Sequence, residues 1–244
     1  MSKAEKVFYE DKAQTKALIE ITRENNIFIM TMVDHENRFT SELCQAICDA
    51  LDYVEHTVDS EDIKETALIT RGQDKFYSNG LSFERALGVP NFTEKIFMPM
   101  LNKILLFTLP TIACMNGHAF AGGCLMAMAH DYRVMRSDRG FMCMNEIDLP
   151  APLPAGMSAL LRYKMAHHVY RDMVMQARRF NGKEALALHL VDGIADGVDN
   201  TFALAKEIAA KWAHKSKCGG ILRLIKEDMY PEVSSRLTVG VPKL

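Results

Sequence analysis

Several functional classes are excluded by what the 244-residue chain lacks. No stretch approaches the roughly 18 uninterrupted apolar residues of a membrane-spanning helix. Charge is nearly balanced, with 29 Lys and Arg against 31 Asp and Glu and a formal net charge of −2. That balance gives no electrostatic footprint for nucleic acid. The six cysteines, Cys44, Cys48, Cys114, Cys124, Cys143 and Cys218, form no CxxC pair and no Cys/His group with metal spacing. Reduced, mostly buried thiols in an intracellular compartment are the expectation. The opening "MSKAEKVFYEDKAQTK" has neither the apolar core of a secretory signal nor the arginines of a mitochondrial presequence. There is no internal sequence repeat and no low-complexity linker. What is present is ordinary for a soluble protein with a real core: 48% apolar and 25% charged residues. The length fits one large domain or one domain with a smaller appendage.

The hydrophobic pattern alternates strand and helix over roughly 17–150 and turns helical beyond Pro154. "ALIEIT" and "IFIMTMV" read as two strands joined by "RENN". Thr40 or Ser41 should cap a helix whose buried face carries Leu43, Ala46, Ile47, Ala50, Leu51 and Val54. "TALIT", "TIACM" and "YRVMR" read as short strands, and Phe92 to Leu105 as an amphipathic helix. Such alternation predicts a layered α/β core with mostly parallel pairing.

Two glycine turns stand out. In "PTIACMNGHAFAGGCL" a strand ends, the chain turns at Asn116-Gly117, and a helix begins near Gly122. The first N–H groups of a helix have no partner within it and sit at the positive end of its dipole. Glycine there lets a ligand approach the backbone, which suits a negatively charged oxygen. Read alone, the Gly122-Gly123 pair serves close packing as readily. "FYSNGLSF" offers a second turn with spare N–H groups around Gly80 and Leu81, although Asn-Gly by itself marks an ordinary turn.

Taken together and in this order, "FYSNGLSF", "PTIACMNGHAFAGGCLMAMAHDYRVM" and "FMCMNEIDL" resemble the crotonase superfamily of enoyl-CoA hydratases and isomerases. The resemblance spans roughly 17–195 and is strongest over 110–149. It implies an α/β fold, a crotonase-type spiral of ββα turns with a helical C-terminal trimerisation region. It divides the chain into a spiral core, 1–195, and a helical region, 196–244. It implies an acyl-CoA thioester substrate whose carbonyl oxygen is held by the backbone N–H groups of Leu81 and Gly122. Preorganised donors aimed at such an oxygen contribute roughly 10²–10³-fold each. In the first motif the family commonly has a small residue and an Asp after the glycine, where this chain has Leu81 and Ser82.

The carboxylates separate the activities that the resemblance allows. Hydratases of this family use two glutamates to activate water. The position of one is Leu125 here, and that of the other is Glu146. A single carboxylate can still move a proton from one carbon to another. The pattern is therefore closest to the Δ3,Δ2-enoyl-CoA isomerases, which shift the double bond of a 3-enoyl-CoA to the 2-trans position in unsaturated fatty acid β-oxidation. Glu146 would be the sole proton shuttle, from C2 to C4. Its apolar neighbours Met142, Met144, Ile147 and Leu149 should raise its pKa. Asp148 is its rival, two residues on and on the same side if the segment is extended. A hydratase or another acyl-CoA-transforming enzyme, and a non-catalytic acyl-CoA-binding protein, are the alternatives.

Other expectations follow from the resemblance. Lys75, Ser78, Asn79, Gly80, Arg38, Gly123 and Leu125 line the substrate and CoA site, Arg38 and Asn37 lying where the family has a small residue and its neighbours. His118 either touches substrate or bonds to backbone in its turn, and His130 with Asp131 orients the chain. Met98, Met100, Met126, Met128, Met142 and Met144 fill the core or line a pliable acyl tunnel. No metal and no cofactor is expected, CoA being part of the substrate. A homotrimer or a dimer of trimers is expected, through the apolar helix faces near 155–178 and 199–228. The terminal Pro242-Lys243-Leu244 differs from the peroxisomal address S-K-L only at proline. That points to a peroxisomal import receptor as partner, with the cytosol as the other location.

Overall fold

The computed structural model describes residues 5–10, 15–73, 75–86, 88–149 and 151–239. The terminal Pro242-Lys243-Leu244 lies outside them. The chain opens with three antiparallel strands, β1 (Lys6–Tyr9), β2 (Ala17–Glu24) and β3 (Ile27–Met32). Sequence patterning found the last two but not β1. The β2–β3 hairpin turns on Asn25 and Asn26, whose φ angles of 47° and 63° give the double left-handed turn that matches strand twist. The helix α1 (Ser41–Ser60) follows, with Thr40 accepting from the Leu43 N–H at 3.2 Å and the expected residues buried. A cap of this kind contributes about 1 kcal/mol.

Three turns of one pattern then repeat. The first holds β4 (Ala67–Gly72), β5 (Phe76–Ser78), a short α2 (Phe83–Ala86) and α3 (Met98–Leu105), which a π-helical turn, Thr93–Phe97, precedes. The second holds β6 (Thr111–Met115), β7 (His118–Phe120) and α4 (Gly122–Ala129). The third holds β8 (Tyr132–Arg136), β9 (Met142–Cys143), a 3-10 turn at Glu146–Asp148 and α5 (Ala155–Lys164). After them come α6 (His167–Met175), α7 (Gly182–Ala187), β10 (Gly193–Ala195), α8 (Gly197–Trp212), α9 (Ile221–Met229) and α10 (Pro231–Leu237). The helix-rich expectation beyond Pro154 thus missed β10, a three-residue strand parallel to β8.

The long strands form a sheet in the order β1-β2-β3-β4-β6-β8-β10, parallel from β3 onward. The short strands form a second parallel sheet, β5-β7-β9. This is the crotonase spiral of ββα turns, with a helical C-terminal region. The parallel strands are buried on both faces, so they read in sequence as unbroken apolar runs. Alternate residues serve different cores. Leu68, Ala113 and Met135 face the main core, whereas Ile69, Ile112, Cys114 and Val134 face Ala205 and Ala209 of α8. The helix α8 therefore covers the outer face of β4, β6 and β8.

Candidate active site

The site sits where the three short strands end. The chain leaves β5 toward Leu81, β7 toward Gly122 and β9 toward Glu146, so equivalent places in three successive turns supply its parts. The strand β7 is too short to show in the sequence, where Asn116 to Ala121 reads as one turn.

The first donor is fixed by a parallel bridge between Phe39 and Leu81. The Phe39 N–H donates to Gly80 O at 2.8 Å, and the Ser82 N–H donates to Phe39 O at 3.0 Å. With its two neighbours turned toward Phe39, the Leu81 N–H points the other way. Gly80 has φ 79°, and a methyl group built on it would lie 3.1 Å from Phe120 O and 3.4 Å from the Gly122 nitrogen. Only glycine suits both the angle and the approach. Ser78 and Asn79 shape this loop: Ser78 Oγ donates to Asn37 O at 2.7 Å and accepts from the Gly80 N–H at 3.2 Å, and the Asn79 N–H donates to Glu36 O. Asn37, buried with φ 49°, donates its side-chain amide to Phe76 O and Tyr77 O at 3.3 and 3.1 Å.

The second donor opens α4. Ala121 has φ 49° and ψ −116°, a region that L residues rarely adopt. Two bonds hold it there: its N–H donates to Cys143 O at 2.8 Å, and its carbonyl accepts from the Leu125 N–H at 3.0 Å. Strain of this kind costs on the order of 1–3 kcal/mol and persists only where its surroundings enforce it. The result is an abrupt helix start at Gly122. A methyl group on Gly122 would lie 2.7 Å from Leu81 Cδ1, 3.0 Å from Phe97 Cζ and 3.1 Å from Phe39 Cδ2. The two donors are therefore neighbours, walled by Leu81, Phe97 and Phe39. One on Gly123 would lie 2.3 Å from Ser78 O, so that glycine is the packing contact between turns.

Glu146, the expected base, lies in the 3-10 turn after β9. Glu146 is part-buried, and its Oε2 is enclosed with no hydrogen-bond partner among the described residues. Burial pushes its carboxyl above the usual 4.5, opposed by its own backbone N–H. The Ala121 N–H bond to Cys143 O ties the mouth of α4 to β9, three residues before Glu146. Asp148 is not the equivalent it would be in an extended segment. The 3-10 turn rotates it off Glu146's side, and it is exposed. Leu125 is fully buried in the main core, and no acidic residue occupies the first turn of α4.

Other expected site residues lie around these. Arg38 is ion-paired with Glu36. Lys75 is exposed at the start of β5, its ammonium 5.4 Å from the Phe76 ring centre. His118 is not the backbone-bonded turn residue expected from its sequence neighbours. It begins β7, with its ring against Phe76, Phe120 and Phe141, and Nδ1 is enclosed without a partner among the described residues. The six candidate methionines are all buried. The His130–Asp131 pair orients the chain as expected, though His130 is not charged. His130 Nδ1 bonds Met126 O at 2.8 Å and Nε2 bonds Thr70 Oγ1 at 2.9 Å, and that hydroxyl bonds Tyr77 OH at 2.7 Å. Burial pushes His130 down to about 3, so it is neutral. Asp131 accepts from the Thr111 N–H and from Lys226 Nζ, at 2.9 and 2.7 Å. Ala121, Phe97 and Lys226 carry no sequence signal that would have singled them out. Among the described residues no group of three or more His, Cys, Asp or Glu is placed to hold a metal ion, and no helix is long and apolar enough to cross a membrane.

Residues 22–241 match the enoyl-CoA hydratase/isomerase family. The chain belongs to that family. It is 32% identical over 228 residues to enoyl-CoA delta isomerase 3 of Arabidopsis thaliana, covering 87% of this chain and 92% of the relative. It is 30% identical to enoyl-CoA delta isomerase 2, peroxisomal, of the same plant, over 87% and 92% of the two chains. Among solved structures, an apo enoyl-CoA isomerase from Mycobacterium tuberculosis superposes with a TM-score of 0.79 at 21% identity, covering 91% and 95% of the two chains. An enoyl-CoA hydratase/isomerase family protein from a pseudomonad gives 0.79 at 17% identity, over 90% and 95%. Those two likenesses establish the fold. A third relative, enoyl-CoA delta isomerase 1, peroxisomal, of the same plant, is 26% identical over 220 residues.

Proposed function

We infer that the protein is a Δ3,Δ2-enoyl-CoA isomerase acting through Glu146 alone. The observation that carries this reading is one enclosed carboxylate, unpartnered among the described residues, in the turn after the strand that bonds the start of α4, with Leu125 where a hydratase would place its second acid. Glu146 as carboxylate takes a proton from C2 of the 3-enoyl thioester. The electron pair moves onto the carbonyl oxygen, forming a dienolate that the Leu81 and Gly122 N–H groups hold. The protonated Glu146 then returns the proton at C4, and the double bond settles between C2 and C3. A raised pKa makes Glu146 a stronger base in the first step and costs little as an acid in the second. The acyl-CoA substrate extends past Arg38, Ser78 and Asn79 toward Lys75.

The test is absorbance of the conjugated 2-enoyl thioester formed from 3-hexenoyl-CoA. Turnover that Glu146→Gln abolishes supports the reading. Formation of 3-hydroxyacyl-CoA from 2-hexenoyl-CoA at a comparable rate would favour a hydratase, and tight acyl-CoA binding without turnover a non-catalytic role.

Ile221, Leu224, Ile225 and Met229 of α9 are half-exposed while its one buried residue is Lys226, an inverted helix that suits a second copy of the chain. A homotrimer or dimer of trimers is the proposed assembly, and sedimentation of wild type against Ile225→Glu tests it. The peroxisomal names of two relatives support import into the peroxisome. A fluorescent protein fused to the N-terminus that stays cytosolic would contradict it.

A further inference from the structure

The C-terminal end of α4 gathers three cations. Arg133 Nη1 and Lys164 Nζ both donate to His130 O, at 2.8 and 3.1 Å. Lys226 donates to Phe107 O, Leu109 O and Asp131 Oδ2. Two of the three are matched by carboxylates: Lys226 pairs with Asp131 at 2.7 Å, and Arg133 with Asp192 at 3.6 Å. Lys164 pairs with no carboxylate among the described residues. Its ammonium sits 4.6 Å from the Tyr230 ring centre. The cluster's surplus charge is therefore that of Lys164.

We propose that Lys164 is a positioning residue for catalysis: its ammonium, at the C-terminal end of α4, strengthens the positive field that the Gly122 N–H presents to the enolate oxygen at the other end. This rests on the isomerase reading. The helix between them is eight residues long and buried throughout. Eight residues span about 12 Å, so screening by water between the two ends is weak. A cation at a helix C-terminus also offsets the negative end of the dipole. Over about 15 Å at an effective dielectric of about 20, one charge changes the stability of an anion by a factor of about five. Keeping that charge there has a cost. Burial, with Arg133 and Lys226 beside it, pushes Lys164 down to about 7, while Asp131 and Asp192 oppose the shift. The groups facing Lys164 are thus His130, Asp131, Arg133, Asp192, Lys226 and Tyr230, and Arg162 and Tyr163 of its own helix are exposed.

The experiment compares wild type, Lys164→Met, Lys164→Gln and Lys164→Arg on 3-hexenoyl-CoA across pH 6–9. Lys164→Met and Lys164→Gln should lower kcat about fivefold, with KM changed less than about twofold. Wild type should lose activity above pH 7 as Lys164 deprotonates, and Lys164→Arg should keep it. In the Glu146→Gln background, the carbonyl stretch of bound 2-hexenoyl-CoA should be lowered less when Lys164→Met is added, a readout that needs no turnover. Wild-type kcat, pH profile and carbonyl frequency in Lys164→Met would overturn the proposal. So would wild-type behaviour of Lys164→Gln, which leaves only the hydrogen bond to His130 to matter. A wild type that does not isomerise would sink the isomerase reading instead, and the carbonyl shift would still decide the role of Lys164.

Discussion

At the N-terminal end of α4, side chains are pared away: Gly122 and Gly123 open the helix, and the backbone itself is the chemical group. At the C-terminal end, side chains crowd in. His130, Asp131, Arg133, Lys164 and Lys226 satisfy carbonyls and one another within a few ångströms. In the proposed function a substrate oxygen completes the first of these ends. The other is satisfied by the protein, which holds the helix in place. The same element thus presents its open backbone at one terminus and its anchoring at the other, with the charge of Lys164 as the proposed link between them, and substitutions of the other residues at the two ends should separate activity from stability.

The largest effect is expected at the crowded end. Lys226→Met removes the cation from Asp131 and from two carbonyls, and should cost about 3 kcal/mol in urea denaturation. The folded fraction should retain most of its turnover. At the open end, Gly122→Ala pushes a methyl group against Leu81, Phe97 and Phe39 and displaces the donor. We expect a loss in kcat on the order of 10²-fold with only about 1–2 kcal/mol of destabilisation. Equal losses in both properties at both ends would erase the contrast.

Acid acts on the crowded end next. His130 is held at about 3 when folded, against 6.5 ordinarily. Between those values the unfolded chain carries a proton that the folded chain does not, so stability falls as pH falls through 6.5. The slope is about 1.4 kcal/mol per pH unit at its steepest, or roughly 1–2 kcal/mol by pH 5. Denaturation midpoints at the two pH values, with His130→Gln as control, check it; an undiminished slope in the control would assign the effect elsewhere. The smallest effect belongs to Ala121. Glycine there relieves the left-handed strain, so Ala121→Gly should change stability by less than about 1 kcal/mol and lower kcat a few-fold by loosening the donor.

Much of the frame was legible in the sequence. The runs at Ile27–Met32 and Thr111–Met115 are continuous because their strands are covered on both faces. The cap at Thr40 and the face of α1 follow from local chemistry. Glu146 and the two glycine turns were legible through the resemblance, since the turns alone read as ordinary. What stayed hidden was short or distant. The strands β7 and β10 have three residues each, too few to show a period. The 3-10 turn that separates Glu146 from Asp148 has no signature. The cluster behind α4 joins Asp131 to Lys226 across 95 positions, a pairing that only the folded chain reveals. Ala121 hid for another reason: a strained alanine is written in sequence like any other.

The central claim is that one carboxylate, Glu146, moves the proton. Its most direct test follows isomerisation of 3-hexenoyl-CoA carrying deuterium at C2, by wild type and by Glu146→Gln. Wild type should give conjugated product with some of the label recovered at C4. The variant should lose kcat on the order of 10³-fold, with acyl-CoA binding retained. Undiminished turnover by Glu146→Gln would contradict it.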